Sequence, residues 1–368
     1  MKRFTALLAV GVLTIVGCAC TLSGCGSSGD KSSADKDGNG YADEIYLYNW
    51  SEYMTQDVLD QFQKEYGIKV IQTTYESDDE LLAKLIAGKK GEYDIAVPTN
   101  TYIQAFKDND LLEPLDKSAL TNLKNIDPAY MNLDFDSGNE YTVPYMGTIS
   151  VMLANKKMLN QLGVTVNNTQ DLLNPALKNN ILIFDDVEGD ITLGLQGAGL
   201  DPNTKNVSDL GNVEKYLMKL NSNIKSFSQI SDERISATRG EVALSYIYSG
   251  DALQAMADNP DLEIVMEKEK FPLTLDNMVI LKGTKHKKEA ELFLNFILRP
   301  DISAELTKTY QYVCFNKAAV SYLPKSLQNA KVCVLSDNMK NNLVIVKEKS
   351  GDMLDKMVTV MTEVKSAK

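Results

Sequence analysis

Histidine is nearly absent: His286 is the only one among 368 residues. That excludes a multi-histidine metal site and leaves a histidine general base with a single candidate. An excess of basic residues is missing as well. Lys and Arg total 38 against 50 Asp and Glu, giving a net charge of −12 and a pI near 4.8. Nucleic acid is therefore not expected as a partner, because neutralising phosphates requires clustered cations. The apolar run from Leu7 to Val16 falls short of the about 20 residues that a permanent membrane helix needs. No repeat of about 20 to 50 residues recurs, which argues against solenoids and propellers. Tryptophan occurs once, as Trp50. What remains is a chain with 44% hydrophobic and 24% charged residues, ordinary for a globular protein and long enough for two domains.

The first residues read as an address. Lys2 and Arg3 precede the apolar run, and small residues follow it, the pattern of a secretory signal over residues 1–24. Leu22-Ser23-Gly24-Cys25 resembles a bacterial lipobox, with Cys25 as the lipidated first residue of the mature chain. Ile15-Val16-Gly17-Cys18 is the poorer alternative, because no polar tether follows it. Residues 25–43 then form a flexible tether of Gly, Ser, Asp and Lys that has too little apolar surface to order itself. Within it, Asp35, Asp37, Asn39, Gly40 and Asp43 follow the start of a calcium loop, but the position that should carry a bidentate Glu holds Tyr46. No metal is expected. Beyond Cys25 two cysteines remain, Cys314 and Cys333, and the sequence leaves open whether they pair.

The body alternates strands and helices. Glu44–Asn49, Lys69–Tyr75 and Tyr93–Val97 read as strands. Between them lie helices marked by Val58, Leu59, Phe62 and Tyr66, with Gly67 as a cap, and by Leu81, Leu82, Leu85 and Ile86. Further strands are expected at Val151–Ala154, Asn180–Phe184, Val242–Tyr248 and Leu275–Leu281, with a helix over Leu292–Ile297 that stops at Pro300. This alternation predicts an α/β class with parallel strands, which bind ligands at the carboxyl ends of their strands. Those ends carry Asn49-Trp50-Ser51 and Pro98-Thr99-Asn100-Thr101-Tyr102.

At these ends the chain resembles the spermidine/putrescine-binding proteins of bacterial ABC importers. The resemblance is carried by Tyr48-Asn49-Trp50-Ser51-Glu52-Tyr53, Gly67-Ile68-Lys69-Val70, Thr74-Tyr75-Glu76-Ser77 and Tyr93-Asp94-Ile95-Ala96-Val97-Pro98. Asn125-Ile126-Asp127-Pro128, Phe135-Asp136, Tyr141-Thr142-Val143-Pro144-Tyr145 and Asn295 to Asp301 extend it from about residue 44 to about residue 320. The resemblance implies a bilobed periplasmic-binding-protein type II fold, two α/β lobes around a ligand cleft joined by a hinge. Lobe 1 would comprise 44–147 plus 275–320, and lobe 2 would comprise 148–274 plus 321–368. It also implies delivery of a polyamine to permease subunits in the membrane; the membrane anchor is the Cys25 lipid read from the lipobox, and monomer is the default, since the sequence is silent on oligomeric state.

A polyamine is an alkyl chain with ammonium groups at intervals. Binding one requires carboxylates for the charges and aromatic faces for the methylenes. By resemblance, Trp50, Ser51 and Tyr53 form the first aromatic wall and its hydroxyl, and Thr99 supplies another hydroxyl. Asp186 and Asp276 are the paired carboxylates. The position of a further carboxylate falls on Gly189, flanked by Glu188 and Asp190, either of which could substitute after a local shift; Glu188 is taken as the site residue. Tyr248 and Tyr312 complete the aromatic set, while Thr101 and Thr274 stand where aromatic rings are expected. No catalytic residue and no cofactor is assigned, and with carboxylates doing the work, protons are expected to matter little near neutral pH. Three rivals stay open: another small cation on the same scaffold, a sensor lipoprotein, and a hydrolase using Asp185 and Asp186. The last is poorly placed, because adjacent residues of a strand point to opposite faces.

Overall fold

The computed structural model describes residues 38, 40–266, 270–349 and 351–368. The expected signal, Cys25 and most of the tether lie outside these residues. Eleven strands are present: β1 Glu44–Trp50, β2 Lys69–Tyr75, β3 Ile95–Ala96, β4 Leu112–Glu113, β5 Thr142–Asn155, β6 Ile181–Phe184, β7 Ile224–Ser228, β8 Leu244–Tyr248, β9 Leu262–Val265, β10 Phe271–Leu281 and β11 Leu343–Ile345. Their order is β2-β1-β3-β10-β5-β8-β6-β7, with β4 and β11 on β10 and β9 on β5. β1 runs parallel to β2 and β3, and β6 runs parallel to β7 and β8. β10 is antiparallel to β3 and β5. The mixed α/β class is the expected one.

Local sequence explains the helices next to the cleft. Thr55 accepts a hydrogen bond from Val58 N–H to open the helix Gln56–Tyr66, and Gly67, at φ 74°, closes it in the left-handed conformation that glycine adopts freely. Val58, Leu59 and Phe62 are buried on its inner face, as the periodicity predicts. In the helix Asp78–Ala87 the outcome differs: Leu81 is buried but Ile86 is exposed.

β5 is the element that joins the two halves. It spans 14 residues rather than the expected Val151–Ala154. Its first part, through Ile149, pairs with β10, and its second part, from Ser150, pairs with β8 and β9. One strand therefore belongs to two sheets, each with its own apolar core.

The chain beyond residue 320, expected with the second lobe, divides between the two sides. Cys314 N–H donates to Cys333 O, Val346 N–H donates to Leu273 O, and β11 extends β10 in parallel. The helix Gly351–Ser366 instead buries Met353, Met357, Val360, Met361 and Val364 in the second core. An edge strand needs a partner ladder, and β10 offers one. Cys314 and Cys333 are both buried and carry free thiols. His286, the single histidine, places Nδ1 3.1 Å from Oδ1 of the buried Asp94.

Candidate functional site

The carboxyl ends of β1 and β3, the middle of β10 and the starts of two second-half helices face one another. Trp50 ends β1. Its indole N–H donates to Val97 O at 2.9 Å, and its ring packs on Tyr75 with centroids 4.7 Å apart. The chain then turns through Glu52, a non-glycine residue at φ 55°, a conformation uncommon for a residue with a side chain. The turn delivers Tyr53, whose hydroxyl donates to Asp276 Oδ2 at 3.0 Å. Four aromatic rings surround Tyr53: Tyr312 at 5.4 Å, Tyr310 at 6.2 Å, and Trp50 and Tyr145 at 6.3 Å each. The Tyr145 hydroxyl also donates to the Tyr53 carbonyl.

Asp276 lies mid-strand, not near a strand start, because β10 begins at Phe271. It sits where the pairing of β10 with β5 shifts register and where it bridges Thr99. A bulge of this kind re-aims a side chain. The carboxylate is 4% exposed, and burial pushes its pKa to about 7 against a lowering by the Tyr53 hydroxyl.

Thr99 donates through its hydroxyl to Asp78 Oδ2 at 2.8 Å and through its N–H to Asp78 Oδ1 at 3.1 Å. Its oxygen also lies 3.0 Å from the Thr101 hydroxyl. Burial holds the Asp78 carboxyl up at about 8.

On the second side, Asp186 caps the helix Val187–Gly197, accepting from Glu188 N–H at 3.3 Å and Gly189 N–H at 3.1 Å. Tyr248, whose ring packs 4.4 Å from Phe184, donates to Asp186 Oδ2 at 3.3 Å. One residue thus caps the helix and accepts the Tyr248 hydroxyl. Gly189 has no room for a carboxylate: a Cβ there would lie 2.4 Å from the Phe184 ring. Of its neighbours, Asp190 is buried beneath the helix, 3.6 Å from Lys365 Nζ. Glu188 faces the cleft, and burial together with the nearby Asp186 raises it to about 8. Asp185, just past the end of β6, pairs with Lys365, whereas Asp186 caps the following helix, so the two carboxylates are engaged separately.

Contacts gather Trp50, Tyr53, Tyr312 and Asp276 on one side, with Thr99 bridging Asp276, and Asp186, Glu188 and Tyr248 on the other. The Ser51 hydroxyl donates to Glu76 Oε2 at 3.0 Å. Tyr312 donates to Asp251 Oδ2 at 3.0 Å, and Asp251 is paired with Arg234 at 2.9 Å. Arg234 also reaches Glu52 at 3.9 Å, from the opposite side. Thr274 is engaged with Thr148 at 2.7 Å. Sequence reasoning missed Asp78, Asp251, Arg234, Tyr145 and Tyr310. The signal for Asp78 was present as an acid after Ser77, but that pattern is explained as a helix start. The expectation that protons matter little near neutral pH is corrected: Asp78, Glu188 and Asp276 all titrate near or above neutrality, because burial disfavours their charge.

Comparison with known proteins follows the same lines. Residues 57–332 match the family model described as bacterial extracellular solute-binding protein. The spermidine/putrescine-binding periplasmic protein of Salmonella typhimurium (strain LT2) is 35% identical over 290 residues, 78% of this chain and 82% of that protein. A putrescine/cadaverine-binding protein of Pseudomonas aeruginosa is 28% identical over 335 residues, 88% of this chain and 94% of that one. A solved structure of a putative spermidine/putrescine ABC transporter from Listeria monocytogenes is 31% identical, covers 89% of this chain and 100% of that one, and superposes with a TM-score of 0.81.

Proposed function

The chain belongs to the bacterial extracellular solute-binding proteins, and from that premise we propose that it captures a polyamine outside the cytoplasm and hands it to the permease of an ABC importer. The observation that carries the reading is the opposition of two carboxylates with aromatic neighbours, Asp276 beside Tyr53 and Asp186 beside Tyr248. Each ammonium of a polyamine takes a carboxylate, and the rings cover the methylenes and attract the cation. Trp50, Tyr53, Thr99, Asp276 and Tyr312 form one wall, and Asp186, Glu188 and Tyr248 the other. Binding-coupled closure of the lobes is the mechanism, with no covalent step. The first lobe comprises 44–147 with 275–346, and the second 148–266 with the helix Gly351–Ser366. The protein is a monomer held at the membrane by lipidated Cys25.

A second reading, a different small cation on the same scaffold, draws on Thr101 and Thr274, whose side chains give less apolar cover than rings. Titration of residues 26–368 with putrescine, spermidine, spermine and cadaverine, followed by Trp50 fluorescence, separates the two. A saturable change at micromolar amine is expected. No change with any of the four, with no thermal stabilisation, would place the ligand outside the polyamines.

A further inference from the structure

Arg234 is a fixed cation beside a cleft read as a site for polycations. It stands on the helix Ile230–Thr238. Its Nη1 lies 2.9 Å from Asp251 Oδ1 and 3.1 Å from Gln254 Oε1, and its Nη2 reaches Glu52 at 3.9 Å. Gln254 in turn donates to the Tyr310 carbonyl at 3.2 Å. The Tyr312 hydroxyl donates to the other oxygen of Asp251 at 3.0 Å.

Asp251 belongs to the same aromatic cluster as Asp276. Tyr312, which bonds Asp251, packs on Tyr53, which bonds Asp276. Asp251 also lies in the first turn of the helix Ser249–Asp258, which begins directly after Tyr248. Glycine lets that turn sit close, since a Cβ at Gly250 would lie 2.4 Å from the Tyr312 ring and 2.6 Å from the Tyr310 carbonyl. Packing thus places a buried acid among the cleft residues. Unlike Asp276, it is already matched: Arg234 holds one oxygen and Tyr312 the other. Burial raises the Asp251 carboxyl, and the guanidinium is the largest influence lowering it.

We propose that Arg234 is a specificity-determining residue: by occupying Asp251 it denies the ligand a carboxylate at the Tyr312 end of the cleft and sets a like charge against any further ammonium there. The proposal rests on the polyamine reading and deepens it, from the class of ligand to the number of charges admitted. A protein discriminates by repelling the wrong ligand as well as by holding the right one. Here the repulsion falls on amines with an ammonium beyond those that Asp276 and Asp186 take. A guanidinium suits the task because it stays charged and its forked nitrogens reach several acceptors from one position. A purely structural ion pair would make the same contacts but would be blind to the charge of the ligand.

Fluorescence titrations of residues 26–368 with putrescine and spermidine at pH 7 give the ratio of the two affinities. Spermidine carries the additional ammonium. Arg234→Gln frees Asp251 and is expected to raise the spermidine-to-putrescine ratio about tenfold. Asp251→Asn keeps an acceptor for Tyr312 but leaves the guanidinium unmatched, and is expected to lower the ratio about tenfold. The double variant carries neither charge and is expected to return to within about twofold of the wild type. Arg234→Lys keeps the charge and is expected to keep the ratio. Ratios that do not move in Arg234→Gln and Asp251→Asn overturn the proposal and leave the pair a structural one. A raised ratio that persists in the double variant also overturns it, because the freed Asp251 is then not the cause. If Arg234→Gln does not fold, the lowered ratio of Asp251→Asn and its recovery in the double variant decide the matter. A wild type that binds neither amine sinks the polyamine reading and this proposal together; binding with unmoved ratios sinks this proposal alone.

Discussion

The two walls of the cleft hold their carboxylates by different means. Asp186 on the second wall is a helix cap that accepts two backbone N–H groups and the Tyr248 hydroxyl. The helix terminus and the Tyr248 hydroxyl favour its charge, but burial outweighs them and raises the Asp186 carboxyl above its usual value. Asp276 on the first wall sits at a strand bulge and accepts a single hydroxyl from Tyr53. Buried among rings, it depends on the ligand for its counter-charge. Burial raises both carboxyls, and they differ in how many fixed hydrogen-bond donors offset it: three at Asp186 and one at Asp276.

The comparison is broken most sharply at Asp276. Replacing Asp276 with Ala is expected to weaken polyamine binding about a hundredfold, because an ammonium is left in a buried site without its acceptor; fluorescence titration reads the loss. Proton coupling comes next. The Asp276 carboxyl titrates at about 7 in the ligand-free cleft, and Asp78 and Glu188 at about 8. A bound cation lowers all three, so binding releases protons and affinity rises with pH. Between pH 6 and 8 the gain is about tenfold per pH unit for each proton displaced, and the dependence flattens above that window. Binding constants from pH 5.5 to 9 test both sign and window.

Asp186→Ala is expected to weaken binding about tenfold. Unlike Asp276→Ala, it also removes a helix cap worth about 1 kcal/mol, so its melting temperature falls in the absence of ligand. Equal thermal effects of the two variants would erase the contrast between the walls. The smallest effect belongs to Tyr248→Phe, which keeps the ring against Phe184 and loses one 3.3 Å hydrogen bond to a carboxylate that has two others. A loss of about twofold to fivefold is expected.

Much of the scaffold was legible in the sequence because its signals are local. Thr55 and Gly67 bound a helix whose Val58, Leu59 and Phe62 repeat at helical spacing, and the strand ends at Trp50 and Thr99 fall where the α/β pattern puts a ligand. The long reach of β5 was not legible: Pro144 and Gly147, residue types that disfavour strand interiors, lie within it ahead of the expected Val151–Ala154. Division of the segment beyond residue 320 was hidden for another reason: β11 is three residues long and gains its place only from β10. At the site, Trp50, Tyr53, Asp186, Tyr248 and Asp276 came from the family resemblance, with the strand-end position of Trp50 as the one independent signal. The choice of Glu188 over Asp190 depended on which side of one helix faces the cleft. Asp78 needed Thr99, 21 residues away, to reveal its role. The same holds for His286, whose partner Asp94 is 192 residues distant.

The most direct test of the two-walled clamp is a crystal structure of residues 26–368 with spermidine. The expected result places one ammonium nitrogen within hydrogen-bond distance of Asp276 and another within reach of Asp186, with the methylenes between Trp50, Tyr53 and Tyr248. An amine bound away from both carboxylates, or held by only one wall with the lobes apart, would contradict it.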